Sequence, residues 1–176
     1  IEGGAAKAYF KAFGEMVLGG FSFPGRVKRP PTDPVNAILS FSYTMVFNEI
    51  SSLLDGLGFD PYLGYFHKAE YGRPSLAADL IEEFRAPVAD RFTLKLINNQ
   101  IFKPEDFYTN PKGGGVYLKR KSMKRYFVEY EKKLNEEFEH PRTGETTTLR
   151  KCFRIQAESL AATIQNKAEY VPYTMN

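Results

Sequence analysis

Scarcity narrows the chemistry first. The 176 residues include no tryptophan, one cysteine (Cys152) and two histidines, His67 and His140. A lone cysteine excludes an internal disulfide and a cysteine-built zinc site, and it fits a reducing compartment, so the expected setting is the cytoplasm. Charge of one sign is also lacking. Lysine and arginine number 24 against 21 aspartate and glutamate, a net charge of +3, so a nucleic-acid surface has to be sought in the distribution of charge and not in its total. No apolar run approaches the roughly 18 residues that span a bilayer, and no signal peptide is visible, which excludes a membrane role from the expectation. Internal repeats are absent, and apolar and polar residues nowhere alternate long enough for a substantial sheet.

What is present is a 43% hydrophobic chain with 15 phenylalanines and 11 tyrosines, enough for one core in a single domain over residues 1–176. The pattern is that of an all-α, multi-helix protein. The chain opens without methionine, directly in helical periodicity, with Ala5, Ala8, Tyr9, Ala12, Phe13, Met16 and Val17 at spacings of three and four. That opening points to a fragment, or to part of a longer polypeptide. Residues 19–34, rich in glycine and proline, predict a mobile loop. Asp33 or Asn36 caps the next helix, an apolar and central one that Gly56 and Gly58 end. Ser75 opens a helix over about 76–99, with Leu76, Leu80, Phe84, Val88, Phe92 and Leu96 as its stripe and Pro87 kinking or dividing it. Residues 103–118 read as a loop with at most a short hairpin. Ser122 caps another helix, residues 140–148 form a turn, and a last helix over about 148–166 precedes an extended tail.

The chemistry concentrates around His67 and the helix that follows Ser75. Asp79 lies three residues before Glu82 and four before Glu83, so the three share one side of that helix. Like charges at this spacing repel by a few tenths of a kcal/mol, and a divalent cation would turn the repulsion into binding. An imidazole with oxygen ligands suits Mg²⁺ or Mn²⁺ better than structural zinc. The same residues also fit a plain solvated acidic face beside a turn histidine. His140, in a charged turn, is expected to be an exposed loop residue.

Three ordered motifs weigh further: "IEGGAAKAYF", "NAILSFSYTMVFNEISSLLDGLGFDPYLGYFH" and "GRPSLAADLIEEFRAPVADR". With the tail "LRKCFRIQAESLAATIQNKAEYVPYTM" they cover nearly the whole chain, and it resembles the catalytic helical domain of the CRISPR adaptation integrase family. The resemblance implies that Glu2, His67 and Glu82 hold a divalent metal, Mg²⁺ or Mn²⁺, with Asp79 a neighbouring acidic residue that assists. It implies metal-dependent DNA transesterification, in which the 3′-hydroxyl of a captured spacer duplex is joined to the repeat of a CRISPR array. It also implies an N-terminal β-rich domain, expected to be missing here in a fragment or a reduced family member, a homodimer or higher oligomer, and a small second adaptation protein as partner. Rival readings are a generic metal-dependent nuclease and a catalytically silent DNA-binding scaffold.

Double-stranded DNA calls for cations. The run "LKRKSMKR" supplies Lys119, Arg120, Lys121, Lys124 and Arg125, the final helix opens with Arg150, Lys151 and Arg154, and Arg73 and Arg85 flank the acidic helix. Arg85 is equally placed to pair with Glu82 or Asp79. Glu129, Glu131, Glu136, Glu137 and Glu139 should turn a duplex away from the helix after the basic run. Glu83, about a hundred degrees around the helix from Glu82, is expected to tolerate replacement.

Overall fold

Helices dominate the computed structural model, which describes residues 2–67, 72 and 74–175, without the side chain of Glu2. In chain order it holds α1 (Glu2–Glu15), α2 (Pro34–Gly56), α3 (Ser75–Phe84), a π-helical turn (Arg85–Asp90), α4 (Arg91–Asn98), a 3₁₀ turn (Pro104–Asp106), α5 (Arg120–Asn135) and α6 (Leu149–Ile164). Two small antiparallel hairpins interrupt them. In one, β1 (Phe107–Thr109) pairs with β2 (Val116–Leu118), and in the other β3 (Phe138–Glu139) pairs with β4 (Thr146–Thr147). The fold is therefore mostly α, and residues 103–118 do contain a hairpin. Pro87 divides the helix expected over 76–99: it has no N–H to give to the carbonyl four residues back, and the chain widens into the π turn there.

The chain forms two compact units, one of Ile1–Ser42 with Asp90–Phe127, the other of Tyr43–Ala89 with Val128–Asn176. Helix α2 contributes to both. By length and hydropathy this 23-residue helix could cross a membrane, but Val35, Ile38, Leu39, Val46, Ile50 and Leu54 on it are all fully buried as a core stripe.

In the first unit, Phe13, Ile38, Phe92, Leu96, Ile97, Phe102 and Tyr126 form the buried core. Asp33 caps α2, its Oδ1 accepting from the Asn36 N–H at 2.8 Å. Asn36 itself is fully buried. Its amide donates to Gly25 O and Asp33 Oδ2, and its Oδ1 accepts from Val27 N–H and Arg26 Nη1. The loop expected to be mobile is thus tied to α2 by one asparagine whose four valences are all used. Ser122 is no cap, since α5 already starts at Arg120. Ser122 is instead buried and donates to Asp106 Oδ1 at 2.6 Å.

In the second unit, Leu76, Leu80, Ile81 and Phe84 of α3 are buried with Tyr130, Leu134, Leu149, Phe153 and Ala157. Thr148 caps α6, accepting from the Lys151 N–H. The tail returns to α3. Tyr173 stacks on Phe84 with ring centroids 5.0 Å apart, and Glu83 gathers the tail's polar groups. Glu83 Oε2 accepts from Tyr173 N–H at 2.7 Å and Gln156 Nε2 at 2.9 Å, and Oε1 accepts from the Tyr170 hydroxyl. Burial first, and then this carboxylate, push the Tyr170 phenol above its usual pKa. His140, expected to be exposed, is buried at 7% accessibility. Its Nδ1 accepts from the Arg142 and Thr143 N–H groups, and its ring packs edge-on to Tyr173.

The expected tolerance of Glu83 is therefore corrected, because the residue has a structural task that periodicity does not show. Glu83→Ala removes the acceptor of the Tyr173 N–H and the Tyr170 hydroxyl, while Gln156 keeps Val171 O, a cost of about 2 kcal/mol. Urea denaturation is expected to show a lower midpoint, and amide exchange to show weaker protection at Tyr173. An unchanged midpoint would refute the clamp.

Candidate active site

The site is built by a loop docking onto the first two turns of α3. Gly58, at φ 81°, closes α2 in the left-handed region, where glycine carries no penalty. The chain then turns at Asp60, whose Oδ1 accepts from Tyr62 N–H. Pro61 O accepts from Leu76 N–H at 2.9 Å, joining the loop to the start of α3. At Gly64 the two run so close that a Cβ would lie 2.7 Å from Ser75 Cβ and 2.9 Å from Asp79 Oδ2. Only glycine permits that approach.

Asp79 is what the loop docks on. Its Oδ2 accepts from Tyr65 N–H at 2.5 Å and Phe66 N–H at 3.1 Å, and its Oδ1 from His67 N–H at 2.9 Å. The His67 ring adds a further contact, Nδ1 to Oδ1 at 2.6 Å. The Asp79 side chain is only 8% exposed. Burial raises its pKa, and the hydrogen bonds from Phe66, His67 and Tyr65 outweigh burial and hold it below the ordinary 3.8. At neutral pH the carboxylate is ionised and can only accept, so the proton in the contact belongs to His67 Nδ1. A neutral His67 ring then carries its lone pair on Nε2, which makes no bond to another described residue. With both Asp79 oxygens occupied twice, the acceptor capacity of this carboxylate is spent on the loop.

Glu82, three residues on, has a 48% exposed side chain, and its Oε1 accepts from Arg85 Nη1 at 2.5 Å. The Arg85 guanidinium also lies over the Tyr43 ring, 4.8 Å from the centroid. Burial works against the charge of Arg85, and Glu82 more than restores it, leaving its pKa raised. Among the described residues, no three histidine, cysteine, aspartate or glutamate side chains meet closely enough to enclose an ion. The Glu2 side chain and Arg73 lie outside the described residues. His67 Nε2 and the Glu82 carboxylate could hold a metal, and their nitrogen and oxygen donors fit Mg²⁺ or Mn²⁺.

The basic candidates separate by what they touch. Arg125 bonds Ile101 O and the buried Asp106, and Lys119 bonds Glu105 O. Arg150 reaches Glu49 and Glu131 together, at 2.7 and 3.0 Å, and Arg154 pairs with Glu158. Arg120, Lys121, Lys124 and Lys151 are exposed and make no ion pair with a described residue.

Asp79→Asn tests the docking. In either orientation the amide sets its NH2 against N–H groups that a carboxylate oxygen now serves, so hydrogen exchange within the Tyr65–His67 stretch should speed up by at least about tenfold. In the unaltered protein the sign of the pH dependence follows from the depressed pKa. Protection is complete above the ordinary 3.8 and is lost as pH falls through the lower folded value.

Comparison with known proteins agrees with this architecture. The profile of the family described as CRISPR associated protein Cas1 matches residues 1–132. A CRISPR-associated endonuclease Cas1 of Chlorobaculum tepidum is 41% identical over 175 residues, covering 98% of this chain and 51% of the relative. The chain spans about half the length of the curated relatives that it matches first. Among solved structures, a casposase bound to integration product superposes with a TM-score of 0.87 at 24% identity, over 98% of this chain and 48% of that one, which is a likeness of fold. A Cas6-RT-Cas1–Cas2 complex gives a TM-score of 0.81 at 25% identity, over 98% of this chain and 19% of that one. The profile takes in α1 through most of α5, including the docked loop and its acidic helix, and the chain belongs to the CRISPR associated protein Cas1 family.

Proposed function

We propose that the chain is the catalytic part of a metal-dependent CRISPR adaptation integrase, joining the 3′-hydroxyl of captured DNA to the repeat of a CRISPR array. The observation that carries this reading is the Asp79–His67 contact, which turns Nδ1 inward and leaves Nε2 as the available ligand atom, while Glu82, three residues after Asp79 on α3, keeps an exposed carboxylate. Metal-binding histidines are usually held this way, by a carboxylate on the other ring nitrogen.

In this reading Glu2, His67 and Glu82 hold one divalent ion, Mg²⁺ or Mn²⁺. When bound, such an ion polarises the scissile phosphate and offsets the charge that develops on its oxygens. Asp79 is a positioning residue and not a ligand, because its oxygens already serve four donors. Arg85 holds Glu82 in place and competes for the same carboxylate. None of these side chains becomes covalently attached to DNA. The attacking 3′-hydroxyl forms the new P–O bond, the repeat strand's P–O bond breaks, and the departing 3′-oxygen takes up a proton as the attacking hydroxyl gives one up.

Of the described basic candidates, Arg120, Lys121, Lys124 and Lys151 are available for phosphates, whereas Lys119, Arg125, Arg150 and Arg154 are engaged within the protein. One structural neighbour is bound to an integration product and another is a complex with Cas2, which supports double-stranded DNA and a small second adaptation protein as partners. An oligomer acting in the cytoplasm completes the proposal.

His67→Ala and Glu82→Ala are each expected to abolish strand joining, with an unchanged circular dichroism spectrum. Assays with and without EDTA, scored for branched product against cleaved ends, check this; cleavage alone would indicate a nuclease. Reversing Arg120, Lys121 and Lys124 to glutamate is expected to lower the salt dependence of DNA binding, by roughly one unit of slope for each phosphate that is no longer neutralised. An unchanged slope would make that run a solvated face.

A further inference from the structure

The loop that carries His67 exposes an unusual amount of aromatic surface. Phe66 is 91% accessible, Tyr65 66% and Tyr62 48%. Many aromatic rings elsewhere among the described residues pair with one another, as Phe84 does with Phe153 and Tyr173. The rings of Tyr62, Tyr65 and Phe66 have no ring partner among the described residues. Leaving a phenylalanine almost wholly in water gives up the burial that such a side chain ordinarily supplies. Nor is the segment loosely held. The N–H groups of Tyr65 and Phe66 are bonded to Asp79, and Gly64 presses against Ser75, so the exposed rings stand on a fixed backbone.

We propose that Phe66 and Tyr65, with Tyr62 beside them, form a stacking platform for unpaired nucleobases of the DNA strand end brought to His67. The inference rests on the proposed DNA chemistry of the site and names which part of the substrate that site recognises. Three observations lead to it. The exposed side chains are mainly aromatic, and every base offers a π-face to such a ring whatever the sequence. Phe66 adjoins the candidate ligand His67 in the chain, and one carboxylate, Asp79, anchors both, so a stacked base and the reacting phosphate would be placed by the same contact. A backbone fixed before binding also reduces the entropy lost on stacking. Bases inside a duplex hide their faces and a blunt end offers only its terminal pair, so the platform favours frayed or single-stranded ends over blunt ones.

The test uses the full chain and duplexes carrying 2-aminopurine, either in a short unpaired 3′ end or at a blunt terminus. Wild-type protein is expected to quench the unpaired probe and to prefer that duplex. Phe66→Ala with Tyr65→Ala should weaken its binding by roughly tenfold or more, abolish the quenching and leave blunt-duplex affinity unchanged. Phe66→Tyr should retain both signals and Phe66→Leu should lose the quenching. Amide exchange at His67 serves as the control that the loop remains docked. Equal weakening on both duplexes, or quenching that persists in the double variant, would overturn the platform. So would a changed oligomeric state with unchanged quenching, which would mark the patch as a protein contact. A wild-type protein that binds neither duplex would overturn the DNA reading itself, a result distinguishable from these.

Discussion

The Asp79 carboxylate is the contact on which the rest of the site depends. A nearly buried charge is tolerated only when its lone pairs are satisfied, and here the partners are three successive backbone N–H groups and one imidazole. Meeting that demand fixes the path of residues 65–67, and the path fixes the His67 ring. The close approach at Gly64 and the Pro61 carbonyl bond at the start of α3 follow from the same docking. Local geometry and proposed chemistry thus share one electrostatic constraint.

Asp79, Glu82 and Glu83 stand within five residues on one helix and have separate tasks set by their surroundings. Asp79 is buried and organises a loop. Glu83 is half-buried and clamps the tail through Gln156, Tyr170 and Tyr173. Glu82 keeps an exposed carboxylate, contacted by Arg85, and is the one of the three with room for a further ligand. Carboxylates that look equivalent in a sequence are separated by which donors reach them.

Much of this was legible in advance. The helical class, the central apolar α2, the break at Pro87 and the Asp33 cap all follow from periodicity and backbone chemistry, and His67 and Glu82 stood out by motif and spacing. The misses share a cause. Ser122, Glu83, Asn36 and His140 each find their partners through tertiary contacts, and no local pattern encodes those. Ser122 read as a cap because serine beside a helical pattern usually is one, whereas Asp106, sixteen residues earlier, takes its hydroxyl. His140 read as exposed because its neighbours are charged, but two turn N–H groups and the Tyr173 ring enclose it. The basic residues were found by composition, yet which of them are committed to internal ion pairs depends on Asp106, Glu49 and Glu131, far along the chain.

The central claim is that Asp79 fixes His67 with its Nδ1 proton inward and leaves Nε2 to a metal. Nitrogen-15 NMR of the imidazole, recorded on the metal-free protein and during Mn²⁺ addition, addresses it most directly. The account predicts a proton on Nδ1, a bare Nε2, and paramagnetic broadening of the His67 resonances, Nε2 foremost, at low Mn²⁺, with His140 unaffected. A proton on Nε2 in the neutral ring, or a His67 signal indifferent to Mn²⁺, would contradict it.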